Sequence, residues 1–144
     1  MEQFLVFLQK NPLHLVLFGT AVITGGMLLW PLINRVSRPG NEVGVTDAVQ
    51  LINRRDAVVL DVRENDEYAG GHIANSRHIP LAQLGGRIKE LEKFRTRPVI
   101  ICCRSGSRAA AAIDVLRKNG FNEAVMLRGG ISAWQQAGMP LEKK

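Results

Sequence analysis

The chain has 144 residues, with 19 Lys and Arg against 13 Asp and Glu for a formal charge of +6, and 46% of it is hydrophobic. That length holds one domain and a short appendage, and a charged fraction of 22% with only 6 Pro and 14 Gly excludes a disordered or collagen-like polymer. Its two cysteines, adjacent at Cys102 and Cys103, exclude a disulfide framework and a four-ligand zinc site. The positive balance fits an anionic counterpart: nucleic acid, a lipid surface or a small oxyanion.

From Asn11 to Asn34 there is no Asp, Glu, Lys or Arg. Leu13–Ile33 would span roughly 32 Å as a helix, close to the hydrocarbon thickness of a bilayer. Trp30 suits the interface, and Thr20 and Thr24 can bond their own backbone. A secretory signal would be shorter and would end in a small-x-small cleavage site, whereas this run exits through Trp30-Pro31-Leu32-Ile33-Asn34-Arg35. The pattern therefore predicts a flank over 1–12, a transmembrane helix over 13–33 and a turn-rich linker over 34–40. Lys10 before the span against Arg35 and Arg38 after it places the remainder, residues 41–144, on the cytoplasmic side of a single-pass membrane protein, as in a bacterial inner membrane.

In the remainder, Thr46 is a good N-cap for a helix through about Asn53, with Ala48, Val49, Leu51 and Ile52 on one side. Ala57–Val62, Val99–Cys102 and Ala124–Leu127 are short continuous apolar runs, the pattern of strands buried on both faces. Ile88, Leu91 and Phe94 are spaced for a helix, Ala109–Lys118 is a strong helix former ending at Asn119-Gly120, and Ile131–Ala137 is a last short helix stopped by Gly138. Buried strands alternating with helices give an α/β fold with a central parallel sheet flanked by helices on both faces. Ligands of such folds sit at the carboxyl ends of the strands.

That rule leads to Cys103-Arg104-Ser105-Gly106-Ser107-Arg108, between a strand and the helix after it. Gly106 is free to take positive φ, Ser107 is positioned to cap a helix beginning near Arg108, and the curve points successive N–H groups at one centre. A thiol in that cup, with Arg104 and Arg108 near, is expected to ionise. Lowering a cysteine pKa from 8.5 to about 6.5 raises the thiolate fraction at pH 7 from roughly 3% to roughly 75%. Cys103 opens the loop and is the one the cup surrounds; Cys102 ends the strand and reads as a small buried hydrophobe.

Cys103-Arg104-x-Gly106-x-Arg108 after an apolar strand resembles the active-site loop of rhodanese-type sulfurtransferases. Leu60-Asp61-Val62-Arg63, Glu67-Tyr68, Gly71-His72-Ile73 and Ile79-Pro80 resemble that family's first signature; Gly120-Phe121, Val125, Leu127, Gly129-Gly130 and Trp134 resemble its closing one. The resemblance covers essentially all of Asn41–Leu141. It implies a rhodanese-like fold and a thiosulfate sulfurtransferase in which Cys103 takes sulfane sulfur from a small anionic donor such as thiosulfate, holds it as a persulfide and passes it to cyanide or a thiol. Arg104, Ser105, Gly106, Ser107 and Arg108 would bind the substrate, the two arginines drawing in the anion, with no metal or cofactor. Asn75 stands where the family often has Gly, and Cys102 where an aromatic residue is common; Asn tolerates the left-handed turn.

Blander roles suit the other polar residues. His72 is expected to be a hydrogen-bonding strut, His78 structural, Asp61 with Arg63 a buried ion pair, and Trp134 and Phe121 core. Lys89, Lys93, Arg95 and Arg97 form a solvated face that could also lie against anionic lipid. Nucleic-acid binding rests on net charge alone and is not expected. Two other functions stay open. One is a membrane-tethered rhodanese-like module that binds or regulates protein partners. The other is a cysteine phosphatase or arsenate reductase, disfavoured because such phosphatases place five residues between Cys and Arg, where this chain has four.

Overall fold

The computed structural model describes residues 12–36, 41–104 and 106–143, without the side chains of Pro12, Leu15, residues 30–36 and Ser107. The flank over 1–11, Ser105, most of the linker and the ring of Trp30 lie outside the described residues. The chain divides into two compact units, Met1–Pro39 and Gly40–Lys144.

Among the described residues the first unit holds one helix, α1, over Pro12–Val36. Thr20 Oγ1 donates to the Leu17 carbonyl at 2.9 Å and Thr24 Oγ1 to the Thr20 carbonyl at 2.7 Å, so both hydroxyls are satisfied by the helix itself. Leu13, Val16, Leu17, Phe18, Val22, Ile23, Met27, Leu28 and Leu29 are all exposed. The longest unbroken run of described side chains is Val16–Leu29, about 21 Å of helix, and among the described residues no helix is long and apolar enough to cross a membrane. The expected span over 13–33 is therefore met as an apolar helix and not, on these residues, as a membrane crossing.

The second unit is a five-stranded, wholly parallel sheet with the order β1-β5-β4-β2-β3. Its strands are β1 (Glu42–Val43), β2 (Val58–Asp61), β3 (Arg77–His78), β4 (Val99–Cys102) and β5 (Ala124–Leu127). The helices are α2 (Val45–Arg55), α3 (Asn65–Ala69), α4 (Leu81–Arg87), a 3-10 helix (Ile88–Phe94), α5 (Ser107–Lys118) and α6 (Gly130–Gln136). Strand periodicity sorts the side chains into two cores. Val58, Leu60, Val99, Ile101 and Cys103 pack with Leu84, Leu91, Ile113 and Phe121 of the α4–α5 layer. Val59, Ile100, Cys102 and Leu127 pack on the other face with Ala48, Ile131 and Trp134 of α2 and α6. Both faces are covered, which is why the central strands are apolar up to Asp61 at the end of β2.

The two edge strands are only two residues long, too short to leave a periodicity signal, and they are the strands absent from the expected set. Three boundaries also differ from expectation. Helix α2 starts one residue before Thr46 with Gly44 as its cap, whose carbonyl accepts from Ala48 N–H at 2.9 Å, and it runs on to Arg55 because Asp56 supplies a left-handed end at φ 53°. Helix α5 is capped by Gly106 at φ 102°, so Ser107 is its first helical residue and not its cap. Ile88–Phe94 winds as a 3-10 helix in continuation of α4.

Candidate active site

Parallel pairing sets the ends of β2, β3 and β4 side by side: Asp61 aligns with His78 on one neighbour and with Cys102 on the other. Beyond that edge Val62 N–H donates to the Cys102 carbonyl at 3.0 Å. Cys103 is thus the first residue past the middle of the sheet. Its residue surface is only 1% exposed, and its Sγ accepts the Gly106 N–H at 2.7 Å. The positive φ of Gly106 is the cause of that contact, because it folds the loop back so that an amide at the start of α5 meets the sulfur.

The neighbouring Cys102 points the other way, into the α2–α6 core, and is 0% exposed. Burial pushes its thiol well above the ordinary cysteine range, and the Asp61 carboxylate pushes in the same direction. It therefore stays a neutral thiol and cannot serve as a second nucleophile.

Arg108 does not stand free to meet an anion, as the sequence reading had it. Its Nη1 and Nη2 each donate to one oxygen of Glu67 at 2.9 Å, a two-pronged pair that joins α5 to α3. The Arg108 hydrogen bonds, helped by the Glu64 backbone N–H at 3.0 Å, hold the Glu67 carboxyl down to about 2. Arg104 is exposed and has no carboxylate partner among the described residues. Ser105 and the hydroxyl of Ser107 lie outside the described residues.

Behind the loop, Asp61 and Arg63 form the expected buried pair, with Nε to Oδ1 at 3.0 Å and Nη2 to Oδ2 at 2.7 Å. The same guanidinium donates to the carbonyls of Glu67 at 3.1 Å and Gly71 at 2.7 Å, which fixes α3 and with it the anchor of Arg108. His72 is the expected strut: its Nδ1 lies 3.0 Å from the Tyr68 carbonyl, and its backbone bridges Glu142. His78 Nε2 lies 2.8 Å from the Arg63 carbonyl, and both imidazoles stack on the Tyr68 ring, their centres 3.9 and 4.2 Å from its centre. Asn75 takes φ 59°, the left-handed turn allowed for it.

Two residues matter to the loop in ways the sequence reading missed. Glu67 was visible only as part of a motif, although an acid three residues after Glu64 is the spacing of a helix-start box. Gly130, at φ 59°, lets the start of α6 press against the loop: Ile131 N–H donates to the Cys103 carbonyl at 2.8 Å, and any Cβ at position 130 would collide with that carbonyl and with the carbonyl of Arg104.

Known proteins are similar to this chain in sequence and fold. The family model of the rhodanese-like domain matches residues 45–137, and the chain belongs to that family. Over 96 residues it is 35% identical to the protein YibN of Escherichia coli, covering 66% of this chain and 67% of YibN. Over 94 residues it is 32% identical to the thiosulfate sulfurtransferase GlpE of Coxiella burnetii, covering 65% of this chain and 86% of GlpE. A crystal structure of a rhodanese-related protein from Thermoplasma volcanium superposes with a TM-score of 0.65 at 35% identity, over 72% of this chain and 99% of that one. The family includes sulfurtransferases, which agrees with Cys103 held just past the end of the middle strand beneath the Gly106 amide.

Proposed function

We propose that this chain is a rhodanese-type sulfurtransferase that carries sulfane sulfur on Cys103. The observation that carries the reading is the position of Cys103: at the carboxyl end of the central strand, with Sγ 2.7 Å from the Gly106 amide at the mouth of α5. In the first half-reaction the Cys103 thiolate attacks the outer sulfur of thiosulfate. The sulfur–sulfur bond breaks, sulfite leaves with its electron pair, and a persulfide anion remains on Cys103. In the second, cyanide or a thiolate attacks the outer persulfide sulfur, and the Cys103 thiolate departs unchanged. The Gly106 amide donates to Cys103 Sγ, the atom that attacks in the first step and departs in the second, and Arg104 draws in the dianionic donor. The test is intact-mass analysis of the full chain after incubation with thiosulfate. One added sulfur atom is expected, absent in Cys103→Ser; no addition, or addition that survives that substitution, refutes the reading.

The same proposal sets the domain on a membrane, facing the cytoplasm. What supports this is the absence of Asp, Glu, Lys and Arg between Asn11 and Asn34, the helical backbone over Pro12–Val36, the row of exposed apolar side chains and the excess of Arg35 and Arg38 over Lys10. Alkaline extraction of the membrane fraction followed by protease treatment of sealed vesicles tests it. Retention in the pellet with cleavage only from the cytoplasmic side is expected, and release into the supernatant refutes it.

A further inference from the structure

Away from the cysteine loop, a cavity of about 500 Å³ opens beside β3, between that edge strand and the helical turn from α4 into the 3-10 helix. No residue of the Cys103–Arg108 loop lines it. Its wall is polar: Ser76, Arg77, His78, Arg87, Glu90 and Lys93 surround a floor of Tyr68, Ile79 and Leu91. Three lining cations face one carboxylate, a net charge of +2 before His78 is counted. Arg87 and Glu90 neutralise each other through two bonds of 2.7 and 2.9 Å. The charge left over is therefore that of Arg77 and Lys93, neither of which has a carboxylate partner among the described residues.

Those two cations are also held together. The Lys93 ammonium lies 5.0 Å from the centre of the Phe94 ring and the Arg77 guanidinium 5.4 Å, with Arg97 a third at 5.7 Å. Each contact is worth about 0.5–1 kcal/mol at an exposed site, but gathering like charges on one ring opposes that gain. Arg97 has a counterion in Asp56 at 2.9 Å, and Arg95, from the same basic run, has one in Glu92 at 2.8 Å. Arg77 and Lys93 have none, and they are the two that border the cavity.

We propose that this cavity is a binding site for a compact oligoanion of pyrophosphate-like chemistry, held by Arg77 and Lys93. The volume falls within the range of small-ligand sites, and its polar lining suits a charged occupant more than an apolar one. A nucleobase is not part of the expected ligand, because both neighbours of the Tyr68 ring are already taken by His72 and His78.

Titration calorimetry of the full chain in nonionic detergent with inorganic pyrophosphate, at constant ionic strength, tests the site. Saturable one-to-one binding is expected. It should weaken by about tenfold or more in the Arg77→Ala/Lys93→Ala double variant, since two charge-assisted contacts are lost, and stay within about twofold in Arg104→Ala. Lys93→Ala alone gives an intermediate loss and serves where the double variant does not fold. Thiosulfate loading of Cys103 in the double variant should equal that of the parent, which separates this site from the catalytic reading. The proposal is overturned if no saturable heat appears, if the double variant binds as the parent does, or if Arg104→Ala abolishes binding. It is equally overturned if the Arg77 and Lys93 variants change only adhesion to anionic vesicles and leave pyrophosphate untouched.

Discussion

Replacing Glu67 by Gln tests how the Cys103–Arg108 loop is held. The substitution keeps the size of the side chain and removes the charge that Arg108 grips with two bonds of 2.9 Å. A carboxyl held down to about 2 from 4.5 sets a ceiling of roughly 3 kcal/mol on the stabilisation. The pair is a quarter to a third exposed, at 25% and 30%, so solvent screening reduces this to about 1–2 kcal/mol at pH 7. For a domain of this size that is a fall in melting temperature of roughly 4–15 °C. The pH dependence is more specific than the size. Because the folded carboxyl is the stronger acid, its contribution is complete above about 4.5, shrinks as pH falls through that value, and is gone by about 2. Urea unfolding of parent and variant between pH 7 and pH 2 reads this directly: the two stability curves should lie apart at neutral pH and converge on acidification. Curves that run parallel, or a variant as stable as the parent at pH 7, would show that the Glu67–Arg108 pair does not hold the loop in place.

Other substitutions separate the roles of neighbours. Cys102→Ala should leave thiosulfate loading of Cys103 intact and cost about 1 kcal/mol or less, since it removes one buried sulfur; loss of loading by mass analysis would contradict the assignment of Cys102 to the core. Gly130→Ala should lower stability by about 2 kcal/mol or more and depress sulfur loading, because a left-handed residue must now push a methyl group against the Cys103 carbonyl; a variant with parental loading rate and melting temperature would show that α6 does not brace the loop. Asp61→Asn should cost about 3–5 kcal/mol, as it leaves the Arg63 guanidinium buried without its counter-charge; a loss below about 1 kcal/mol in urea unfolding would mean that the carbonyls of Glu67 and Gly71 suffice to hold Arg63.

What the sequence could announce depended on how far apart the interacting residues lie. The three central strands were legible because burial on both faces makes Val58–Leu60, Val99–Cys102 and Ala124–Leu127 apolar without interruption. Cys103 and Gly106 were legible because they sit within one local turn, where a strand end and a helix start dictate geometry over a few residues. The edge strands at Glu42–Val43 and Arg77–His78 were not, since two residues carry no period and their pairing comes wholly from the strands beside them. The fate of Arg108 was hidden for a related reason. Its partner lies 41 residues earlier, and an arginine beside a reactive cysteine reads equally well as a free cation or as half of an ion pair.

That ambiguity resolves into a division of labour between the two loop arginines. Arg108 grows from the first turn of α5 and meets Glu67 of α3, whose position is set by the Arg63 guanidinium bonding back to Asp61 at the end of β2. Two ion pairs therefore run from the floor of the sheet to the start of α5, and they stiffen the segment whose Gly106 amide faces the Cys103 sulfur. A cation spent in this way gives precision and little net attraction, because its charge is matched by a carboxylate 2.9 Å away. Arg104 is placed oppositely, exposed and without a carboxylate, so it supplies attraction and little rigidity. On the proposed function, anion capture and loop geometry fall to different side chains of the same motif. A substitution at Arg104 should accordingly raise the donor concentration needed for half-saturation, whereas one at Arg108 should lower the rate of the loaded step and the stability together.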